Sequence, residues 1–436
     1  MTETMRAASE EAAQADDHSR SERAGLTVGE RLSLAGLALF AVSVTAWILE
    51  ATRHPNLLWS PLDLGVYWEG GLAVRHGPHL YDLNYTWVHL PFTYPPFAGG
   101  VFAAAAHLSL PTLKVLIAAV DMLTLVVAAW IGLGARQWSG LSGRLGAAFA
   151  IAAAGLWLEP VQQTLFFGQV NIVLMLVILL DLRQKDSRWT KGIGVGLAAG
   201  FKLTPAIFIG YLLITRRFRA AAVAVATFAA SIGVTWIFMP AESHKYWIGR
   251  MFTDARRIGN PGYVGNQSLH GLLNRFVDGG SAEKLYLIPA AVAALAGLAL
   301  AAWAHRRGDE VLGILITAIA GLLASPISWS HHWVWAVPFA AWLAGQRTFA
   351  MALWQRITLC AALFLAFTAW PHRNGAGAPI TPTGWLWLVP HAQNTEYHWS
   401  IGQHLVGELY TGIGVVALGA FAVVALRQRR TAGLKA

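Results

Sequence analysis

The stretch 192-GIGVGLAAGFKLTPAIFIGYLLI-214 is apolar almost throughout, yet it carries Lys202 near its middle and Pro205 three residues later. A helix needs about 20 apolar residues to cross the hydrocarbon of a bilayer, so the run has the length of a span. A charge at the centre of such a helix costs roughly 2.5–3.5 kcal/mol on insertion scales, and residues of this kind face a cavity or a partner. Snorkelling of the lysine to the interface is the alternative. On either side lie short basic connections, 183-RQKDSRWTK-191 and 216-RRFR-219. Basic connections face the cytoplasm, so the stretch must go out and come back, breaking near Lys202 and Pro205. Non-helical backbone at that depth is tolerated only where protein or a wet cavity surrounds it. Gly192, Gly196 and Gly200 recur every fourth residue and read as a close-packing seam between helices rather than a phosphate loop.

The rest of the chain fits the same class. Of its 436 residues 56% are hydrophobic and only 13% charged, with 20 Trp, which exceeds what one or two soluble cores require. Apolar runs such as 33-SLAGLALFAVSVTAWILEA-51, 115-VLIAAVDMLTLVVAAWIGLG-134 and 405-LVGELYTGIGVVALGAFAVVALR-427 recur along it. Residues 1–30 are polar and read as a disordered cytoplasmic arm without the pattern of a signal peptide. Residues 31–427 form the transmembrane domain and 428–436 a basic cytoplasmic tail. The net charge of +9 comes from short connections, as topology demands, so it calls for no nucleic-acid partner. Cys360 is the single cysteine, which excludes intrachain disulfides and thiolate metal sites.

About 13 apolar segments can be counted, whereas two cytoplasmic ends require an even number of crossings. At least one segment therefore dips without spanning; 94-YPPFAGGVFAAAAHL-108 and the 192–214 stretch are the two candidates. The loops expected outside are 53–95, 157–170, 240–284, 326–332 and 371–404. Loop 240–284 is awkwardly basic for that side, but long loops translocate with weak regard to charge.

The first of these loops holds three acids, Asp63, Glu69 and Asp82. Asp63 opens an amphipathic stretch, LDLGVYWEGGLAV, suited to the membrane surface with Leu62, Val66 and Leu72 toward lipid. The run Ser60-Pro61-Leu62-Asp63 also matches a capping box with proline at the first helical position. In 326-PISWSHHWVWAVP-338, His331 and His332 stand among Trp329, Trp333 and Trp335. They suit either an aromatic belt at the bilayer boundary or a substrate contact, and two neighbouring helical rings point about 100° apart, so both cannot readily serve one ligand. Gln169 and Asn171 in 166-FFGQVN-171, and Asn266 and Arg275 in 265-GNQSLHGLLNR-275, are further polar positions, readable as caps or as glue between helices. Asp-x-Asp, GxxxxGK[ST], His-Glu-x-x-His and Gly-x-Ser-x-Gly do not occur, so neither a nucleotide-diphosphate clamp nor a dedicated metal site is expected.

Taken in order, 63-DLGVY-67, 92-FTYPP-96, 168-GQVN-171, 200-GFKLTP-205, 266-NQSLHG-271 and 325-SPISWSHHWVW-335 resemble glycosyltransferase family 87. The resemblance covers roughly residues 33–425; GFKLTP and SPISWSHH are its most specific blocks. It implies an all-α polytopic membrane protein of the GT-C class with about 12 transmembrane helices, some short or broken, and surface helices in the first external loop. It also implies a plasma-membrane enzyme, active on the external side, that takes mannose from polyprenyl-phosphate mannose. Length and first loop are most similar to the mycobacterial members that add an α-1,2-linked mannose to phosphatidylinositol tetramannoside.

By that resemblance Asp63 is the acid above a lipid-accessible cavity and the expected general base. Lys202, with Arg275 and one of His331 and His332, is expected at the donor phosphate. Tyr67, Gln169, Asn171, Asn266 and Trp329 complete the expected substrate contacts, with no cofactor. Two alternatives stay open: a lipomannan or other glycolipid acceptor, and a secondary transporter, which also offers many spans and a broken segment bearing an ionisable residue.

Overall fold

A computed structural model describes residues 26–53, 61–77, 79–134, 140–277, 279–346, 348–373 and 380–433. The expected N-terminal arm lies almost wholly outside the described residues, as does Ser60 of the capping-box reading. The basic tail continues the last helix as far as Gly433.

The chain is mostly helical. From the N-terminus run α1 (Val28–Arg53), α2 (Leu62–His76), the hairpin strands β1 (Asn84–Tyr85) and β2 (Leu90–Pro91), α3 (Pro96–Ala105), α4 (Leu110–Gly132) and α5 (Gly140–Gly155). Then come α6 (Glu159–Phe167), α7 (Asn171–Leu182), α8 (Ile193–Phe201), α9 (Ile207–Ile214) and α10 (Phe218–Phe238). After short turns follow α11 (Leu269–Phe276), α12 (Leu287–Arg306), α13 (Glu310–Ala324), a 3₁₀ turn Ser330–Trp335, α14 (Ala336–Gly345) and α15 (Leu353–Phe367). Strands β3 (Trp370–Arg373) and β4 (Ile380–Thr383) precede α16 (Ile401–Gly407) and α17 (Leu409–Gly433). Two antiparallel strand pairs, with Tyr85 opposite Leu90 and His372 opposite Thr381, depart from an all-helical reading.

Among the described residues five helices are long and apolar enough to cross a membrane, or six if α6 and α7, bent by 114°, count as one span. The protein is thus a multi-pass membrane protein. The buried positions of the first span are Gly29, Gly36, Phe40, Trp47 and Ala51, a stripe repeating every seven and four residues that packs against α5. At ten residues α3 is about 15 Å long, half of a hydrocarbon core, in line with a segment that does not span.

The 192–214 stretch breaks where the lysine and proline stand. Lys202 is extended (φ −149°, ψ 132°), ends α8, and is followed by the 3₁₀ turn Thr204–Ala206. Asp181 at the end of α7 fixes the other end of α8, accepting from the backbone N–H groups of Gly192 and Val195 at 2.9 Å. A carboxylate there satisfies orphan donors of a helix N-terminus. Gly192, which caps α8, and Gly196 and Gly200 within it are a seam against α10: a Cβ on Gly192 or Gly196 would meet the carbonyl oxygen of Ala220 or Ala224 within 2.1 or 2.5 Å. Helix α7 returns beside α8, so Asn171 at its start meets Lys202 at the end of α8.

The surface placement expected for α2 is corrected in one respect. Leu64, Val66 and Tyr67 are buried in a cluster with Leu80, Phe92 and Phe102, so Val66 faces protein, not lipid. The loop after α2 folds back over it, and burying these aromatics outweighs leaving that face to the membrane surface.

Candidate active site

A cavity of about 620 Å³ opens between α2, the loop 90–95, the break after α8 and the turns 251–259 and 325–332. That volume lies within the ~300–1,000 Å³ usual for small-molecule sites. Asp63, Tyr67, Gln169, Lys202, Trp329 and His332 all line it, although up to 269 residues separate them in sequence.

Asp63 lies in the first turn of α2, whose N-cap, Pro61, makes no side-chain cap. Its carboxylate turns instead to Gln169, whose Nε2 donates to Oδ2 at 2.5 Å. The amide of Gln169 is oriented by the other side of its network. Tyr67 donates to Tyr94 at 2.9 Å, and Tyr94 donates to the Gln169 oxygen at 3.1 Å, so the NH₂ is left to face Asp63. Gly168 sets the position of Gln169. It caps α6 in the left-handed region (φ 67°), and a Cβ there would fall 2.7 Å from Cβ of Leu64. Removal from bulk water pushes the Asp63 carboxyl up to about 6, against the opposing pull of the Gln169 amide and the Lys202 charge. The other two acids of the loop are occupied. Glu69 accepts from the Thr86 N–H at 2.8 Å, and Asp82 pairs with Lys245 at 2.5 Å.

Lys202 donates to Asn171 Oδ1 at 3.0 Å and lies 2.8 Å from His332 Nε2. Its ammonium also lies 5.4 Å from the ring centroid of Tyr94. Asn171 and Gln169 touch at 3.5 Å, so one polar chain runs from Asp63 through Gln169 and Asn171 to Lys202 and His332. A smaller apolar cavity begins beneath it, lined by Asn171, Lys202 and His332 at one end and by Pro205, Ile207 and Phe208 beyond. Lys202 and His332 therefore stand where the larger cavity and this recess meet.

The two histidines separate. Their rings lie 4.8 Å apart at 84°, and only His332 reaches the cavity. His331 packs on Phe167 at 5.6 Å, while its carbonyl accepts from Thr164 and Asn171. Two more expected contacts sit elsewhere. Arg275 is buried and gives its donors to Glu408 and to the carbonyls of Gly262, Tyr263 and Asn266, which leaves it no free edge for a substrate. Asn266 is fully buried, bonding the carbonyls of Pro261 and Pro326 and accepting from the Ser328 N–H. Its backbone pairs with Trp329, so it shapes the wall without entering the cavity. Arg257 does enter, as does Tyr94, and neither was singled out from the sequence. Tyr94 stands inside the quoted FTYPP block, whereas Arg257 is one of several loop cations with no local signal to distinguish it. Among the described residues no group of three His, Cys, Asp or Glu could hold a metal ion.

A helical multi-pass protein with a carboxylate and a buried ammonium–imidazole pair facing one cavity fits the class of membrane-embedded group-transfer enzymes. The model of glycosyltransferase family 87 matches residues 92–326, and the chain belongs to that family. It is 33% identical over 426 residues to a polyprenol-phosphate-mannose-dependent alpha-(1-2)-phosphatidylinositol pentamannoside mannosyltransferase of Mycobacterium tuberculosis, covering 92% of this chain and 91% of that one. The protein of the same name from Mycolicibacterium smegmatis is 35% identical over 393 residues, 86% of each chain. A polyprenol-phosphate-mannose-dependent alpha-(1-2)-phosphatidylinositol mannoside mannosyltransferase of Mycobacterium tuberculosis is 32% identical over 416 residues, 87% of this chain and 90% of that one. No solved structure matches. The chain is a glycosyltransferase, and the transporter alternative is set aside.

Proposed function

We propose that this enzyme transfers mannose from polyprenyl-phosphate mannose to a phosphatidylinositol mannoside with inversion, forming an α-1,2 linkage, and that its step converts the tetramannoside to the pentamannoside. The reading places the reaction on the external face of the plasma membrane and counts about 12 crossings. The observation that carries it is the shared cavity of Asp63 and the Lys202–His332 pair, in a chain whose relatives are named for this donor and this class of acceptor.

In this mechanism the acceptor 2-hydroxyl lies against Asp63 and the donor phosphate against Lys202 and His332. The hydroxyl oxygen attacks C1 of the β-linked mannose from the face opposite the phosphate, and Asp63 takes its proton. The C1–O bond to phosphate breaks, its electron pair stays on the phosphate oxygen, and the new linkage is α. Lys202 and His332 stabilise the charge that develops on the departing polyprenyl phosphate, most effectively where bulk water is excluded. The leaving group remains in the membrane, so the reaction requires no nucleotide. The apolar recess beyond Lys202 receives the first isoprene of the carrier.

The test is transfer of labelled mannose from polyprenyl-phosphate mannose by purified protein to defined phosphatidylinositol mannosides. Product only with the tetramannoside supports the full reading. Product with lipomannan alone keeps the enzyme and changes the acceptor, and no transfer from this donor overturns the proposal.

A further inference from the structure

Lys202 is poorly equipped to hold a lipid phosphate alone. An ammonium has three donors, and two of them meet Asn171 and His332. Its field also acts on the Asp63 carboxylate, which offsets part of its positive charge. A phosphate that leaves a sugar becomes more negative as it goes, so it calls for a second cation. Arg257 is such a cation. It lines the same cavity from the turn 255–257, half-buried. Its Nη2 donates to the Phe92 carbonyl at 2.8 Å and Nη1 to the Met251 carbonyl at 3.5 Å. Those two bonds fix the plane of the guanidinium and leave Nε and the second hydrogen of each Nη uncommitted. Tyr81 lies below it at 5.7 Å, and among the described residues no carboxylate pairs with it.

The turn that presents Arg257 is tied to the other wall of the cavity. Gly259 has φ 149°, and a Cβ there would fall 2.9 Å from the Trp329 ring. The Trp329 carbonyl in turn accepts from the His332 N–H at 2.8 Å. Arg257 is thus held in register with His332 through Gly259 and Trp329.

We propose that Arg257 is a second phosphate-binding residue of the cavity, taking the phosphate of a lipid-linked substrate with its free N–H edge while Lys202 and His332 hold the deeper side. The planar fork of a guanidinium matches two phosphate oxygens, which a lysine cannot reproduce. This rests on the function proposed above, and the phosphate has two possible carriers, the polyprenyl donor and the phosphoinositide acceptor.

Binding is measured first, so that the result does not depend on turnover. Wild type, Arg257→Gln and Arg257→Lys, each in nanodiscs and checked for unchanged thermal unfolding, are titrated with decaprenyl phosphate and, separately, with phosphatidylinositol tetramannoside. A lost charge-assisted contact weakens affinity by about 10- to 100-fold. Loss of that size for decaprenyl phosphate in Arg257→Gln, partly restored by lysine, places Arg257 on the donor phosphate. The same loss for the inositol lipid places it on the acceptor. Unchanged affinity for both lipids in a folded Arg257→Gln protein overturns the inference. Wild type that binds both lipids yet fails to transfer mannose overturns the proposed function and leaves the Arg257 comparison intact.

Discussion

Lys202 Nζ and His332 Nε2 meet at 2.8 Å across 130 residues of sequence. With Lys202 as an ammonium, which has no acceptor, Nε2 of a neutral His332 accepts and the ring proton goes to Nδ1. His332→Ala removes that acceptor and lets the ammonium swing from the phosphate position. We expect transfer to fall by about 10- to 100-fold. His332→Gln, whose amide oxygen can accept, retains more activity than alanine. His331→Ala, away from the cavity, keeps most of the rate. Equal loss in both alanine variants, measured as initial rates of mannolipid formation, would contradict the division of roles.

Asp63→Asn keeps the shape of the side chain and removes the proposed proton acceptor. General-base catalysis contributes about 10²- to 10⁴-fold, so kcat should fall by that factor while the donor still binds. Donor affinity measured in parallel separates a lost base from a lost fold.

The pH profile follows from the carboxyl of Asp63 being raised to about 6 by burial. The proposed base must be ionised, so kcat/KM falls as pH drops through that value. Gln169 donates to the ionised form and holds the value down. Gln169→Leu therefore moves the acid limb toward higher pH, read from rates between about pH 5 and 8. A limb that stays in place, or moves down, removes Asp63 as the titrating base.

Gly168→Ala tests the hinge between α6 and Gln169. An L-residue in the left-handed region costs about 1–2 kcal/mol, and here its Cβ also meets Leu64, next to Asp63. Displacing reacting groups by about 1 Å can cost 10²-fold in rate. We expect folded protein with transfer reduced by at least tenfold, checked by melting temperature beside initial rate.

Arg275 and Glu408 form a buried pair, with Nε of the arginine 2.5 Å from Oε1. Leaving one partner alone costs about 3–5 kcal/mol, whereas replacing both by apolar groups can be neutral. Arg275→Met should thus lower thermal stability in detergent sharply, and Arg275→Met with Glu408→Leu should recover much of it. A substrate-binding arginine would give the opposite pattern, with stability kept and KM raised.

Much of this was written in the sequence. Apolar runs of membrane length, the lysine and proline interrupting 192–214, and the glycine seam all act through local spacing, which a linear reading captures. Asp63, Lys202, Gln169 and Tyr67 stood in quoted blocks, and the structure brings them to one cavity. Folding alone decided that His332 enters while His331 backs onto Phe167, since a 3₁₀ turn aims neighbouring side chains apart and only the surrounding helices fix which is inward. The same holds for Arg275 and Asn266, drawn into structural bonds with Glu408 and the Pro326 carbonyl, and for Arg257, carried to the cavity by a loop of no regular period. Glu408 lies 133 residues from Arg275, Pro326 60 from Asn266, and Phe92, which accepts from Arg257, 165 from it. Composition and periodicity register the solvent a segment prefers; which charges meet across such separations depends on how the helices and loops close around one another.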